Sequence, residues 1–197
     1  MSKVVSEMSM SLDGFIADPD DGVEHLFGWF QNGPVEVPSA DPRWSYHVSP
    51  ASAEVLRGAF GDTGAMICGR RLFDHTRGWG GNHPLGVPVF VVTHRVPEDW
   101  AHPEAPFTFV TDGVADAVER AKAAAGGKNV AVASPTIIQQ CLDLGLLDEI
   151  NVSLVPVLLG AGIRYFDRLA ASPVRLDDPE VVAGTGVTHL RYRVRKL

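Results

Sequence analysis

Alternating apolar and polar positions open the chain from Val4 to Ala17, broken at Asp13-Gly14, and predict a first strand with a continuation. Short apolar runs recur at Ala65–Cys68, Val87–Thr93, Phe107–Val110, Asn129–Ala133 and Glu149–Leu159, which read as buried strands. Helical stretches lie between them. Ser52–Phe60 has Pro50 near its start and Gly61–Gly64 at its end, and a second helix opens at Arg70. Val114–Ala125 places Val114, Val118 and Ala121 on one face before Gly126-Gly127. Thr136–Leu144 follows Ser134-Pro135, read as a cap and first-turn proline, and stops at Gly145. Val187–Val194 and a partner near Glu180-Val181-Val182 have no crossover between them and read as an antiparallel hairpin.

Strands alternating with helices predict an α/β fold with a mainly parallel central sheet, an antiparallel C-terminal edge and helices on both faces. Residues 1–197 are expected to form one domain with a long irregular insertion at about 18–50. A loop of that length is expected to act as a lid, binding loop or interface arm. Its Trp29, Phe30 and Trp44 are expected to be partly buried against a cleft or a second subunit.

The chain is long enough to bury a core without metals or disulfides. A net charge of −7 argues against nucleic acid or an anionic membrane as partner, so any arginine cluster is local chemistry. Cys68 and Cys141 stand among apolar neighbours and read as buried free thiols of a reducing compartment. With no signal-like start and no membrane-length apolar stretch, a cytoplasmic location is expected. The seven histidines show no ligand spacing, so no metal is expected. Gly-x-Ser-x-Gly and Walker patterns are absent, and no helix-forming run follows Gly78-Trp79-Gly80-Gly81 to make a dinucleotide fingerprint.

One junction carries chemistry by itself. Gly69-Arg70-Arg71 follows the Ala65–Cys68 strand and opens a helix, bringing backbone N–H groups and two guanidinium forks to one point. That suits a phosphate, although paired arginines are also ordinary surface charge.

Several segments together resemble the dihydrofolate-reductase superfamily, in its branch of stand-alone proteins related to the reductase domain of the riboflavin-biosynthesis deaminase-reductase. They are Met10–Ala17, Cys68–Phe73, Val89–Arg95, and Gly145–Ile150 leading into Val155–Gly162, in the family's order and spacing. The resemblance implies NADPH laid across the ends of the central strands, a small-molecule substrate and a homodimer. By position, Ile16 and Ala17 would lie by the nicotinamide. Gly69, Arg70 and Arg71 would lie near the pyrophosphate and 2′-phosphate, and Thr93, His94 and Arg95 beside the adenosine ribose. Guanidinium and imidazole groups at two strand ends agree, favouring NADPH over NADH.

Two departures stand out. Where the family has paired glycines after the strand that ends here at Val132, this chain has Ala133 and Ser134, then Pro135, Thr136 and Ile137 at the helix start. A cis Ala133–Ser134 bond costs about 3–4 kcal/mol, whereas cis Ser134–Pro135 costs under about 1 kcal/mol. Either the bend has moved by one residue, or cofactor binding is weakened or lost. The family's Arg/His-rich substrate signature is also missing, and only Ser52–Arg57 stands in its place. Glu54 and Asp13 are the candidate catalytic acids. The expected function is an NADPH-dependent reductase of a small heterocyclic, pterin-like or carbonyl/imine compound. The alternative is a non-catalytic binding or assembly protein with a decayed cofactor site. A true folate reductase fits less well, because the insertion replaces a short loop.

Overall fold

The computed structural model describes residues 2–196. The opening segment divides where its alternation breaks. β1 (Val4–Ser11) enters the main sheet and β2 (Phe15–Ala17) leaves it, with Gly14 N–H bonded to Ser11 O at 3.0 Å in the turn. The 18–50 stretch is more ordered than expected. It holds α1 (Glu24–Phe27), a 3-10 turn at Gly28–Phe30 and the hairpin β3 (Val35–Pro38) with β4 (Ser45–Val48). Elements of three or four residues are too short to display a period.

Ser49 caps α2 (Pro50–Asp62), its Oγ accepting the Ser52 N–H at 3.3 Å with Pro50 in the first turn. The helix runs through Gly61 directly into β5 (Thr63–Gly69), so Gly61 and Gly64 do not end it. There follow α3 (Arg70–His75), β6 (Val89–Val92), β7 (Phe107–Val110), α4 (Val114–Ala124), β8 (Asn129–Ala133), α5 (Pro135–Asp143), β9 (Glu149–Val155), β10 (Ile163–Arg164), β11 (Glu180–Ala183) and β12 (Thr188–Arg193). β9 stops at Val155 rather than Leu159, because Pro156 has no N–H for the ladder, and Pro88 likewise lies outside β6.

The main sheet has the order β11-β12-β9-β1-β8-β5-β6-β7. β1 and β5 to β9 are mutually parallel, and the β11–β12 hairpin pairs antiparallel with β9. From β1 the chain travels one way through β5, β6 and β7, then returns through β8 and β9. Its direction thus reverses at the middle of the sheet, where β8 inserts between β1 and β5. In parallel sheets a ligand crevice forms at such a reversal, outside the carboxyl ends of the strands.

The packing shows the same geometry. On one face, α4 and α5 lay Val114, Ala117, Val118, Ala121, Ile137, Ile138 and Cys141 against Ala65, Ile67, Val130 and Val132 in one continuous core. The other face carries two separate clusters. One joins Leu26, Trp29, Val37, Val48, Ala53 and Leu56, and the second joins Met66, Cys68, Phe73, Val89 and Val91. A gap lies between them. Trp29 is buried in its wall and Phe30 is half-buried, whereas Trp44 is 53% exposed, against expectation. Both cysteines are buried free thiols, pushed up to about 12 by desolvation. Among the described residues, no helix is long and apolar enough to cross a membrane.

Candidate functional site

The gap opens into a cleft of about 1030 Å³ at the carboxyl ends of β5, β6 and β8. Its lining includes Ile16, Ala17, Gly69, Arg70, Arg71, Thr93, His94, Arg95, Ala133, Ser134, Pro135, Thr136 and Ile137. The structure therefore brings together every position carried over for the cofactor.

Local interactions hold these residues in place. β10 pairs with β2, setting Ile163 beside Ala17, and Gly162 closes the approach: a Cβ there would stand 2.1 Å from Ala17 O. Thr93 is buried, and its Oγ1 accepts Arg95 N–H at 3.3 Å while donating to Arg95 O at 2.9 Å. That bracket fixes the turn presenting His94 and Arg95, which are exposed and have no ion-pair partner among the described residues. Arg70 is engaged by Asp74 Oδ1 at 2.7 Å and Arg95 O at 3.0 Å. Arg71 reaches Asp21 Oδ2 at 2.8 Å. One mouth of the cleft thus carries three guanidinium groups and an imidazole on an acidic protein.

The strand-end junctions differ from expectation. Gly69 has ordinary extended backbone, φ −87° and ψ 161°, so the turn into α3 does not depend on glycine. The helix has only six residues and no side-chain cap. Neither Ala133–Ser134 nor Ser134–Pro135 is cis. The bend is instead taken by Ser134 at φ 114° and ψ 118°, a region glycine favours. Its hydroxyl does not cap α5; it accepts the Gly69 N–H at 3.0 Å, tying β8 to β5. Pro135 has no N–H, and those of Ile137 and Ile138 bond Ser134 O at 3.1 and 3.0 Å.

Neither proposed acid lines the cleft. Asp13 accepts from the Ser11 hydroxyl at 2.6 Å and from Leu159 and Gly160 N–H at 3.1 and 2.7 Å. The Ser11 hydrogen bond is the chief influence holding its carboxyl at about 2, with those backbone N–H groups adding to it. It is a clasp between the β1–β2 turn and the segment after β9. Glu54 is exposed on α2 and ion-paired with Arg57 at 3.1 Å, facing a smaller cavity of about 260 Å³.

Two acids do line the cleft: Asp21, which is held by Arg71, and Glu7, which also borders the smaller cavity. The registers Val5↔Ala131 and Ala131↔Met66 put Glu7 in one cross-strand row with Ala133 and Cys68, on the sheet face whose two clusters leave the gap. Adjacent strands lie about 5 Å apart, so the Glu7 backbone stands one such spacing from Ala133. Among the described residues no hydrogen-bond or ion-pair partner holds its carboxyl, and desolvation raises it to about 7. Its register partner Asn151 has a buried Oδ1 without a partner among the described residues. A protonated Glu7 has a hydroxyl to offer there; a carboxylate has none.

Around Glu7 the walls are Leu56, Trp29 and Phe30 on one side and Met66 and Trp79 on the other. Trp79 sits within a run of positive φ from Arg77 to Gly81, itself at 49°, and its ring meets His83 edge-on at 4.5 Å. His83 Nδ1 accepts Leu85 N–H at 3.1 Å, which leaves the hydrogen on Nε2, and burial lowers its pKa to about 4. Ser9 Oγ is taken by Trp29 Nε1 at 3.0 Å, and Ser153 Oγ by the buried His189 at 3.0 Å.

The family model for the RibD C-terminal domain matches residues 2–190. The chain belongs to this family. Members of the RibD C-terminal family are reductases. Among solved structures, a candidate riboflavin biosynthesis protein from Shewanella sp. PV-4 matches at 22% identity and TM-score 0.72, with 99% of each chain covered. Acinetobacter baumannii RibD matches at 14% identity and TM-score 0.61, over 99% of this chain and 58% of that one. A diaminohydroxyphosphoribosylaminopyrimidine deaminase/5-amino-6-(5-phosphoribosylamino)uracil reductase from Thermotoga maritima matches at 11% identity and TM-score 0.60, over 98% and 57%. At these identities the likeness is one of fold, and the chain spans little more than half of the two larger proteins. No curated protein matches.

Proposed function

We propose that this protein is an NADPH-dependent reductase of a small heterocyclic, carbonyl or imine compound, with Glu7 as its acid. The observation that carries the reading is one continuous cleft with two unlike ends. Arg70, Arg71, His94 and Arg95 gather at the first, and an unpartnered carboxyl at the second. The donor set at the first end fits a multiply anionic ligand. His94 and Arg95 are free to contact a 2′-phosphate, and a phosphate that displaced Asp21 would gain Arg71. Ile16 and Ala17 would bound the nicotinamide on the β2 side. When bound, the cofactor supplies a hydride.

The protein's own task is then to orient the acceptor and supply a proton. Glu7 is suited to that, because a carboxyl poised near neutrality is present both as acid and as base. The aromatic walls exclude water and hold a flat acceptor parallel to the sheet edge, so few other catalytic groups are needed. A panel of small carbonyl, imine and heterocyclic acceptors, followed by NADPH consumption, tests the reading. Glu7→Gln should lower kcat by about 10²–10⁴-fold without weakening the cofactor. Absence of NADPH binding, with turnover of no acceptor, would favour the rival.

That rival is a binding protein with a decayed cofactor site, and one observation favours it. The Ser134 hydroxyl is spent on Gly69, and Pro135 offers no N–H, so the grip on a pyrophosphate is thinner than paired glycines would allow.

A further inference from the structure

The cleft's charge is distributed unevenly, and this bears on which compound it accepts. Every Lys or Arg along its lining, namely Arg70, Arg71 and Arg95, stands at the strand-end mouth; among the described residues the Glu7 half has none. His83 in that half is held neutral by burial. His75, on the last turn of α3, is the other imidazole along that wall. Arg57, on the neighbouring helix, is turned to Glu54 and lies outside the cleft. Ser9 Oγ already accepts from Trp29 and Ser153 Oγ is bonded to His189, whereas the Glu7 carboxyl and His83 Nε2–H are open to a ligand.

A phosphoryl group brought here would meet a carboxyl instead of a guanidinium fork. Burying a dianion without a cationic partner is strongly unfavourable. A flat, uncharged ring bearing both an N–H and an acceptor atom meets the opposite situation. It lies between the Trp29–Phe30 wall and the Trp79 wall, gives its N–H to Glu7 and receives the hydrogen of His83.

We infer that the Glu7 half of the cleft selects a phosphate-free, flat nitrogen heterocycle and rejects the phosphoribosyl form of such a compound, with Glu7 as the residue that discriminates. This rests on the reductase reading for the identity of the two halves. It sets the protein apart from the Thermotoga protein, whose name specifies a phosphoribosyl substrate. Glu7 is a specificity residue here through direct contact.

The test uses the full chain and equilibrium binding, read by the fluorescence of Trp29 and Trp79 in the cleft walls. The probes are 5-amino-6-(5-phosphoribosylamino)uracil and its dephosphorylated form. Wild type should bind the dephosphorylated compound at least tenfold more tightly, and Glu7→Gln should narrow that ratio to within threefold. Because Glu7→Gln is close in shape, circular dichroism should confirm its fold, and Glu7→Ala gives a second reading of the ratio. Equal or tighter binding of the phosphorylated compound by wild type overturns the inference, as does binding of neither at millimolar concentration. A ratio unchanged in both folded variants also overturns it. NADPH titrated in parallel reports on the other half alone. Its failure to bind defeats the reductase reading while a phosphate-free preference still stands.

Discussion

Replacing Glu7 by Gln should make the protein more stable and less active, and the gain in stability should depend on pH in a defined direction. In the folded protein desolvation raises the Glu7 carboxyl to about 7, while the unfolded chain titrates near the ordinary value of 4.5. Between those values the folded state binds more protons than the unfolded state. Stability from this group is therefore fully present below about 4.5 and is lost as pH rises toward 7. A full shift of that size corresponds to about 3 kcal/mol, and water entering the open cleft reduces it, so about 1–3 kcal/mol is expected. Gln has the same shape and no charge to desolvate. At pH 8 Glu7→Gln should unfold about 1–3 kcal/mol above wild type, a rise of roughly 2–10 °C for a chain of this size. At pH 4.5 the two should coincide. Urea unfolding at half-unit pH steps measures this directly. A constant difference across the range, or a less stable variant at pH 8, would refute the placement of Glu7 as an unpartnered carboxyl in the cleft.

Other expectations follow from named contacts. Asp13→Asn should lower Tm at neutral pH by weakening the clasp on Leu159 and Gly160. Because this folded carboxyl is depressed, the wild-type advantage should vanish as pH falls from about 4 to about 2. Ser134→Gly relieves a positive φ worth about 1–3 kcal/mol and loses one hydrogen bond to Gly69 worth about 1 kcal/mol, so stability should change little or rise. NADPH affinity should improve by up to roughly tenfold by calorimetry, and a variant that binds less tightly would show that Ser134 contributes to the grip. Leu12 and Leu158 are exposed on neighbouring turns, and we propose that they mark a homodimer interface. Sedimentation should show a dimer that Leu158→Ser weakens; a monomer at all concentrations speaks against it.

The sequence made the sheet and its helices legible because each long strand is a buried apolar run and each long helix carries a stripe of the right period. Val114, Val118 and Ala121 are buried as that period requires. The short hairpin at Val35–Val48 was not legible, since four residues cannot establish a pattern. The cleft residues emerged from the family's segment order more than from their own chemistry. The acid did not. In Val4–Ser11 the alternation assigns Glu7 to one face of a strand but does not say whether that face is wet. Only the order of strands, with β1 between β9 and β8, turns an apparently solvated glutamate into the floor of a cleft. Asp13 misled for the converse reason. Its turn is local and visible, but its partners Leu159 and Gly160 lie far along the chain. Ser134 reads as a helix cap because a serine before proline usually is one; its actual partner, Gly69, is set by the adjacency of β5 and β8.

The central claim is that the arginine-rich mouth holds the 2′-phosphate of NADPH. Calorimetric titration of the wild type with NADPH and with NADH, repeated with Arg95→Ala, tests it most directly. Arg95 is chosen because its guanidinium has no ion-pair partner among the described residues, so its loss leaves the fold intact. NADPH should bind in the micromolar range and more tightly than NADH, and Arg95→Ala should weaken NADPH by about 1.5–3 kcal/mol while leaving NADH nearly unchanged. Absence of NADPH binding at millimolar concentration, or equal losses for both cofactors, would contradict it.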